Sequence, residues 1–316
     1  MKTHLMLVCL AAIALVIASP ALADVCTFVG ATNADWNEIL SWECCPDNDP
    51  QCNIPFNAVP IEGDEAIIPN NTTCVIGDAD QEITTLTLVG TLIVLKDRTL
   101  TLHGDSTVDG DLGFQVGTGG GVCAPGANDT ATLEIANHLT ITGDGGTIGV
   151  GCISFVIIKA QPGLSFTPIL TLENADPGTL TVRANFSTEI DIQVQLRNHA
   201  RVGIDTNLSA TVRLSTEPKT GCGLWFVKNG GTMVVDIAVQ GDGTWEITRD
   251  LFFPISTLEI NAECDALTGT VLLDSVLMDV NEDFCTTGDL TFTAKDKVGR
   301  IEVAQDKTAS FAGNCR

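Results

Sequence analysis

The stretch from Ile83 to Gly117, ITTLTLVGTLIVLKDRTLTLHGDSTVDGDLGFQVG, constrains the fold more than any other part of the chain. Leu86 and Leu88, Leu92 and Val94, Leu100 and Leu102, and then Leu112, Phe114 and Val116 alternate with polar residues. Gly or Asp ends each burst after a few residues. Alternation with a period of two marks half-buried strands, and Gly/Asp punctuation marks tight corners. The same pattern recurs almost to the C-terminus, with expected strands at 131–135, 139–142, 153–158, 169–172, 180–182, 190–196, 202–204, 210–214, 224–227, 233–239, 244–248, 256–260, 271–273, 290–293 and 300–303. Apart from a short helical turn expected between Asn33 and Trp42, no stretch reads as a helix.

Two all-β architectures fit such a chain. A right-handed parallel β-helix, or solenoid, winds short strands into coils of about twenty to thirty residues. Tandem β-sandwiches would use longer strands joined by hairpins. Very short strands and the scarcity of Asn-Gly hairpin signals, met once at Asn229-Gly230, favour the solenoid. So do two cysteine spacings, Cys123 to Cys152 and Cys264 to Cys285, each about one coil long. Each pair is expected to join neighbouring coils as a disulfide, because adjacent strands lie about 4.8 Å apart.

The first residues read as a secretory signal. Lys2 gives the positive start, Leu5 to Ile17 the apolar run, and Ala21-Leu22-Ala23 the small-x-small cleavage site. The run is shorter than the ~20 residues needed to span a bilayer. The expected division is therefore a signal peptide at 1–23, a Cys/Trp-rich cap at 24–60, and a β-solenoid domain at 61–316. The chain has 12 Cys. Cys9 leaves with the signal, and in a secreted chain the remainder imply disulfides with one thiol left over. Metal binding by Cys44, Cys45 and Cys52 is the rival reading; no His lies near them and no Cys-x-x-Cys pair exists.

The formal net charge is −24, and one unit more negative without Lys2. Such a chain is not drawn by charge to nucleic acid or anionic membranes, and its acidity favours solubility outside the cell. Asp47, Asn48 and Asp49 offer oxygens for calcium, but their spacing does not complete an EF-hand, and a plain acidic turn fits them better. Asn-x-Thr/Ser sequons occur at Asn70, Asn71, Asn128, Asn185 and Asn207.

A resemblance adds to this reading. Trp36 and Trp42 are followed by Gly63-Asp64, the strand Ala66-Ile67-Ile68-Pro69, and then the run from Thr85 to Leu92, TLTLVGTL. The arrangement is similar to the opening coils of secreted bacterial β-helix surface proteins. The segment 63–117 also resembles the eight-glycine extracellular domain, with Gly63, Gly77, Gly90, Gly104, Gly110, Gly113 and Gly117 at its turns. The resemblance implies a surface or secreted protein, in some cases associated with glycan-directed modules.

Catalytic motifs are absent from the sequence. His103, His138 and His199 lie in separate stretches, none beside a Gly-x-Ser-x-Gly elbow or in a His-Glu-x-x-His pair. Asp109/Asp111, Glu189/Asp191 and Asp274/Asp279 are carboxylate pairs that could share a face, as glycosidase chemistry requires, although solvated turns are preferred. Thr-x-Thr occurs at Thr85/Thr87, Thr99/Thr101, Thr140/Thr142, Thr179/Thr181 and Thr291/Thr293, the pattern of an ice-binding hydroxyl ladder, but without constant spacing. No catalytic, cofactor or metal residue is therefore assigned. The expected function is a secreted non-catalytic surface, matrix or adhesion-type protein, with extracellular glycan or other surface proteins as partners. The alternatives are a polysaccharide-active β-helix lyase or hydrolase, or carbohydrate binding without turnover through exposed Trp225 or Trp245.

Overall fold

The computed structural model describes residues 23–46, 51–115, 129–142, 146–173, 179–182, 188–205, 210–249, 254–263, 267–286, 289–293 and 300–311. The expected signal peptide, the Asp47–Asp49 cluster, Cys123, Cys264 and the sequons at Asn128, Asn185 and Asn207 lie outside the described residues. Among those residues the structure is all-β, and helix is confined to one 3-10 turn, Ile39–Ser41.

Successive strands visit three long sheets in rotation. Glu65–Ile68 enters the first sheet, Thr73–Ile76 the second and Gln81–Ile83 the third, and Thr85–Leu88 returns to the first beside Glu65–Ile68. The sheets hold ten, eleven and ten strands, and every pairing within them is parallel except that of Asp24–Phe28 with Trp42–Pro46. Parallel neighbours require a crossover between them. Here the crossover consists of the two strands lent to the other sheets, an arrangement consistent with a β-helix-like solenoid. The coil length varies widely. Register partners are 18 residues apart at Thr73 and Thr91, 36 at Leu112 and Ile148, and 40 at Val25 and Glu65.

The alternation explains what lies inside. Leu86 and Leu88 of the first sheet, Leu92 and Val94 of the second, and Leu100 and Leu102 of the third are fully buried and belong to one apolar core. Each such side chain contributes about 1.5–3 kcal/mol by leaving water. Between them, Thr87 and Ile93 are half-buried on the other face, and Thr101 is buried. Corners are tight because coils stack backbone on backbone. A Cβ on Gly110 would lie 2.0 Å from the carbonyl oxygen of Gly90 one coil earlier, so only glycine fits there.

The Cys/Trp-rich segment 24–46 is itself built into the sheets: Asp24–Phe28 pairs with Glu65–Ile68 in the first sheet and Ala34–Asp35 with Thr73–Ile76 in the second. Trp42–Pro46 then covers the outer edge of Asp24–Phe28 in antiparallel register. The Cys26–Cys44 disulfide crosses that pair, and Cys45–Cys52 closes the following loop. The rival metal reading of these cysteines fails because all three sulfurs are spent in disulfides. Trp42 packs against Trp36 and Phe28 at centroid distances of 4.7 and 5.1 Å, and its indole N–H donates to the Trp36 carbonyl at 2.7 Å.

Cys152 and Cys285 are both disulfide-bonded. Their expected partners, Cys123 and Cys264, lie outside the described residues. Among the described cysteines, Cys74 and Cys222 carry free thiols.

Candidate functional site

The outward faces of the three sheets hold the groups that chemistry would need. The third sheet carries a polar ladder. Arg213, on Thr211–Leu214, bonds Glu189 at 3.0 Å on the preceding coil and Asp236 at 2.7 Å on the next. Asp236 accepts from the amide of Asn261, whose own oxygen accepts from Asn281 another coil on. The ladder thus ties five successive coils together. Desolvation works against the Arg213 charge, but the bonds to Asp236 and Glu189 more than offset it and hold its pKa above the ordinary value. Beside it, Ser215 donates to Asp191 at 2.5 Å and Gln193 donates to the same carboxylate at 2.8 Å.

This arrangement decides how the carboxylate pairs stand. Glu189 and Asp191 do share the strand Glu189–Ile192, but both are engaged by protein donors and do not converge on open space. Asp274 and Asp279 are on different sheets, since Thr270–Asp274 belongs to the second and Leu277–Val280 to the third. Asp109 and Asp111 flank the Gly110 corner, both exposed.

Trp225 and Trp245 are register partners on adjacent coils, stacked at 5.2 Å and completely buried. Sugar stacking on either ring, the route considered for carbohydrate binding, is thereby excluded. Two β-rich positions that alternate inward simply put both indoles in the core. On the opposite face of the same strand the Arg201 guanidinium lies 4.9 Å from the Phe226 ring centroid, and the Lys228 ammonium 5.7 Å.

The Thr-x-Thr motifs do not make one ladder. Thr85/Thr87 and Thr140 lie on the first sheet, Thr99/Thr101 on the third, and Thr179/Thr181 and Thr291/Thr293 on the second. A single threonine column does exist on the first sheet, where Thr87, Thr107, Thr140 and Thr171 are consecutive register partners. Its neighbouring positions, such as His138, Ile169 and Gln195, break any second column.

The histidines separate as follows. His138 is exposed at the start of a first-sheet strand. The Nε2 of His103 lies 3.4 Å from Glu82, and together with Glu62 these groups present ligand atoms within 4.8 Å of one another. Sequence reasoning missed this grouping, although the steps of 20 and 21 residues from Glu62 to Glu82 to His103 are close to the 19-residue coil between Glu82 and Thr101. The ring of His199 lies 3.5 Å from the Cys222 sulfur.

Lys219 was also missed. It occupies an inward register position between Leu196 and Val239, and its ammonium donates to the carbonyls of Ser215, at 2.8 Å, and Glu217. Burial pulls its pKa down to about 8. Near Glu217 the loop 161–168 forms an open depression of about 290 Å3 lined by Gln161, Ser165, Phe166 and Thr167, with Phe166 51% exposed.

No protein-family model matches the chain, and neither a curated protein nor a solved structure matches it.

Proposed function

We propose that the chain is a secreted right-handed parallel β-helix with a disulfide-stapled N-terminal cap, serving as a non-catalytic surface, matrix or adhesion-type protein. The observation that carries this reading is the use made of the polar side chains. Glu189, Arg213, Asp236, Asn261 and Asn281 bond one coil to the next instead of converging on a cleft. A long stack so built is a scaffold whose extended outer faces suit contact with extracellular glycan or other surface proteins. The Cys26–Cys44 and Cys45–Cys52 disulfides, with Cys152 and Cys285 also bridged, fit an oxidising compartment. No helix among the described residues is long and apolar enough to cross a membrane. The similarity of residues 63–117 to the eight-glycine extracellular domain supports the same reading.

Two measurements test it. Fractionation of the producing cell with N-terminal sequencing is expected to find the protein outside the cytoplasm, starting at Asp24. Incubation of purified protein with a panel of polysaccharides is expected to release no product. Cleavage of any of them would replace this reading with that of a polysaccharide-active enzyme. Glycan binding without turnover is a second reading that rests on the exposed Phe166 beside the 161–168 depression. Loss of glycan retention on Phe166→Ala would establish it.

A further inference from the structure

The contact between Cys222 and His199 has a built frame. Asn198, completely buried, spans two coils with its side chain. Its amide donates to the Leu224 carbonyl at 3.2 Å, and its side-chain oxygen accepts from the Ala200 N–H at 3.0 Å. The Gly223 N–H donates to the Asn198 carbonyl at 2.9 Å. Gly221 completes the fit. Its φ is +138°, and a Cβ there would lie 1.9 Å from the Asn198 carbonyl oxygen. His199 stands between the two anchored residues of one coil, Asn198 and Ala200. Cys222 stands between the two anchored glycines of the next. The frame therefore sets the imidazole directly against the thiol, Nδ1 to Sγ at 3.5 Å, with the thiol exposed.

The remaining described cysteines are placed differently. Cys74, the other free thiol, is buried, and burial, with the Asp35 charge adding to it, pushes its thiol pKa up. The others are disulfide-bonded. Among the described residues Cys222 is thus the accessible thiol, and it lies within proton-transfer reach of a base in a chain suited to an oxidising compartment.

We propose that Cys222 is a covalent attachment site, activated by His199, that exchanges with disulfides. In the step, the His199 Nδ1 accepts the thiol proton and the Cys222 sulfur attacks one sulfur of an incoming disulfide. A new S–S bond forms as the old one breaks, and the departing thiolate takes the proton from His199. The incoming disulfide is the oxidant, reduced to one thiol as Cys222 is oxidised. The positions matching His199 and Cys222 on the flanking coils are Glu173 and Asp242, so the site is bordered by acids on both sides. Neutral or cationic disulfides should therefore react faster than anionic ones.

The test uses the full secreted chain and dithiodipyridine, a neutral chromogenic disulfide. The rate assigned to Cys222 is the difference between wild type and Cys222→Ser. At pH 7 it should exceed the rate of the same thiol in the denatured chain by on the order of tenfold. His199→Gln should return it to the denatured-chain value while Cys222 stays accessible to a maleimide. A rate equal to that of the denatured chain, or one unchanged by His199→Gln, overturns the proposal. Intact mass of protein isolated without reductant identifies the natural source. A small added mass lost on reduction indicates a low-molecular-weight disulfide, and a doubled mass abolished by Cys222→Ser indicates a second copy. A fully free Cys222 in material isolated from an oxidising medium contradicts the attachment role.

Discussion

The coils of residues 24–115 and those of residues 188–303 hold together by different means. In the first region the stacked leucines are reinforced by the Phe28–Trp36–Trp42 cluster and two disulfides at the N-terminal edge, and the polar links between coils, such as Thr87 to Glu65 and Arg98 to the Gly77 carbonyl, are separate pairs. In the second, polar groups take over much of the work. Asn198 and Lys219 are buried among core residues, and the Arg213 ladder runs along the outside. Both solve the problem of a stack in which each coil touches only its neighbours and fraying can spread from a weak one. The difference teaches that one backbone geometry accepts either solution, and it implies different vulnerabilities. The first region should respond to redox conditions and cavities, the second to pH and salt.

The largest effect is expected at the N-terminal cluster. Trp42→Ala removes two ring contacts and the bond to the Trp36 carbonyl. It should cost about 3–5 kcal/mol, read as a lowered denaturant midpoint. The double change Cys26→Ala with Cys44→Ala should cost about 3 kcal/mol, since the bridge closes an 18-residue separation. If hydrogen exchange then accelerates as much in residues 211–260 as in 65–88, the two regions are not separable in the way described.

Lys219 tests the second region. Its native pKa, about 8, lies below the ordinary 10.5. Between those values the unfolded chain holds a proton that the native chain lacks. Stability should therefore rise with pH across that window, by up to about 3 kcal/mol. Below pH 8 both states are protonated and this contribution is flat. Lys219→Met should abolish the rise, and a wild-type profile that falls or stays level between pH 8 and 10 would contradict the assignment.

Arg213→Ala should have the smallest effect, about 1 kcal/mol, because the guanidinium is a third exposed. The loss should shrink in high salt, whereas the Trp42→Ala loss should not.

Much of the fold was readable where alternation and glycine corners coincide. The expected strands at 169–172, 244–248 and 300–303 match the observed bounds. The alternation presents the runs 190–196 and 233–239 as single strands, but each divides. Glu189–Ile192 and Thr232–Val235 end in the third sheet, and Gln195–Asn198 and Val239–Gln240 begin in the first. Those corners turn without glycine, Val194 keeps facing the core, and the apolar pattern continues through them. Strands such as Thr147–Val150 and Lys219–Thr220 escaped notice because a Gly or a Lys sits where alternation would ask for a clearer signal. The strand pairing of Asp24–Phe28 depends on a partner forty residues away, which no local pattern reveals. Among possible sites, Cys222 and His199 are 23 residues apart, close to one coil. That separation carries meaning only once the register is known, and the buried Asn198 that frames the pair looks like any loop asparagine in the sequence.

The central claim is that the chain advances by one strand spacing per coil, whatever the coil's length in residues. On the second sheet, Thr73, Thr91, Asp111, Thr147, Thr179, Arg201, Leu224, Thr244 and Thr270 are successive register partners. Pulsed electron paramagnetic resonance between spin labels, on a Cys222→Ser background, measures that advance directly. The account predicts about 29 Å between positions 91 and 244, about 34 Å between 73 and 244, and about 38 Å between 73 and 270, one strand spacing per added coil. Distances that fail to grow in this order, or that scatter as paired antiparallel sheets would make them, would contradict it.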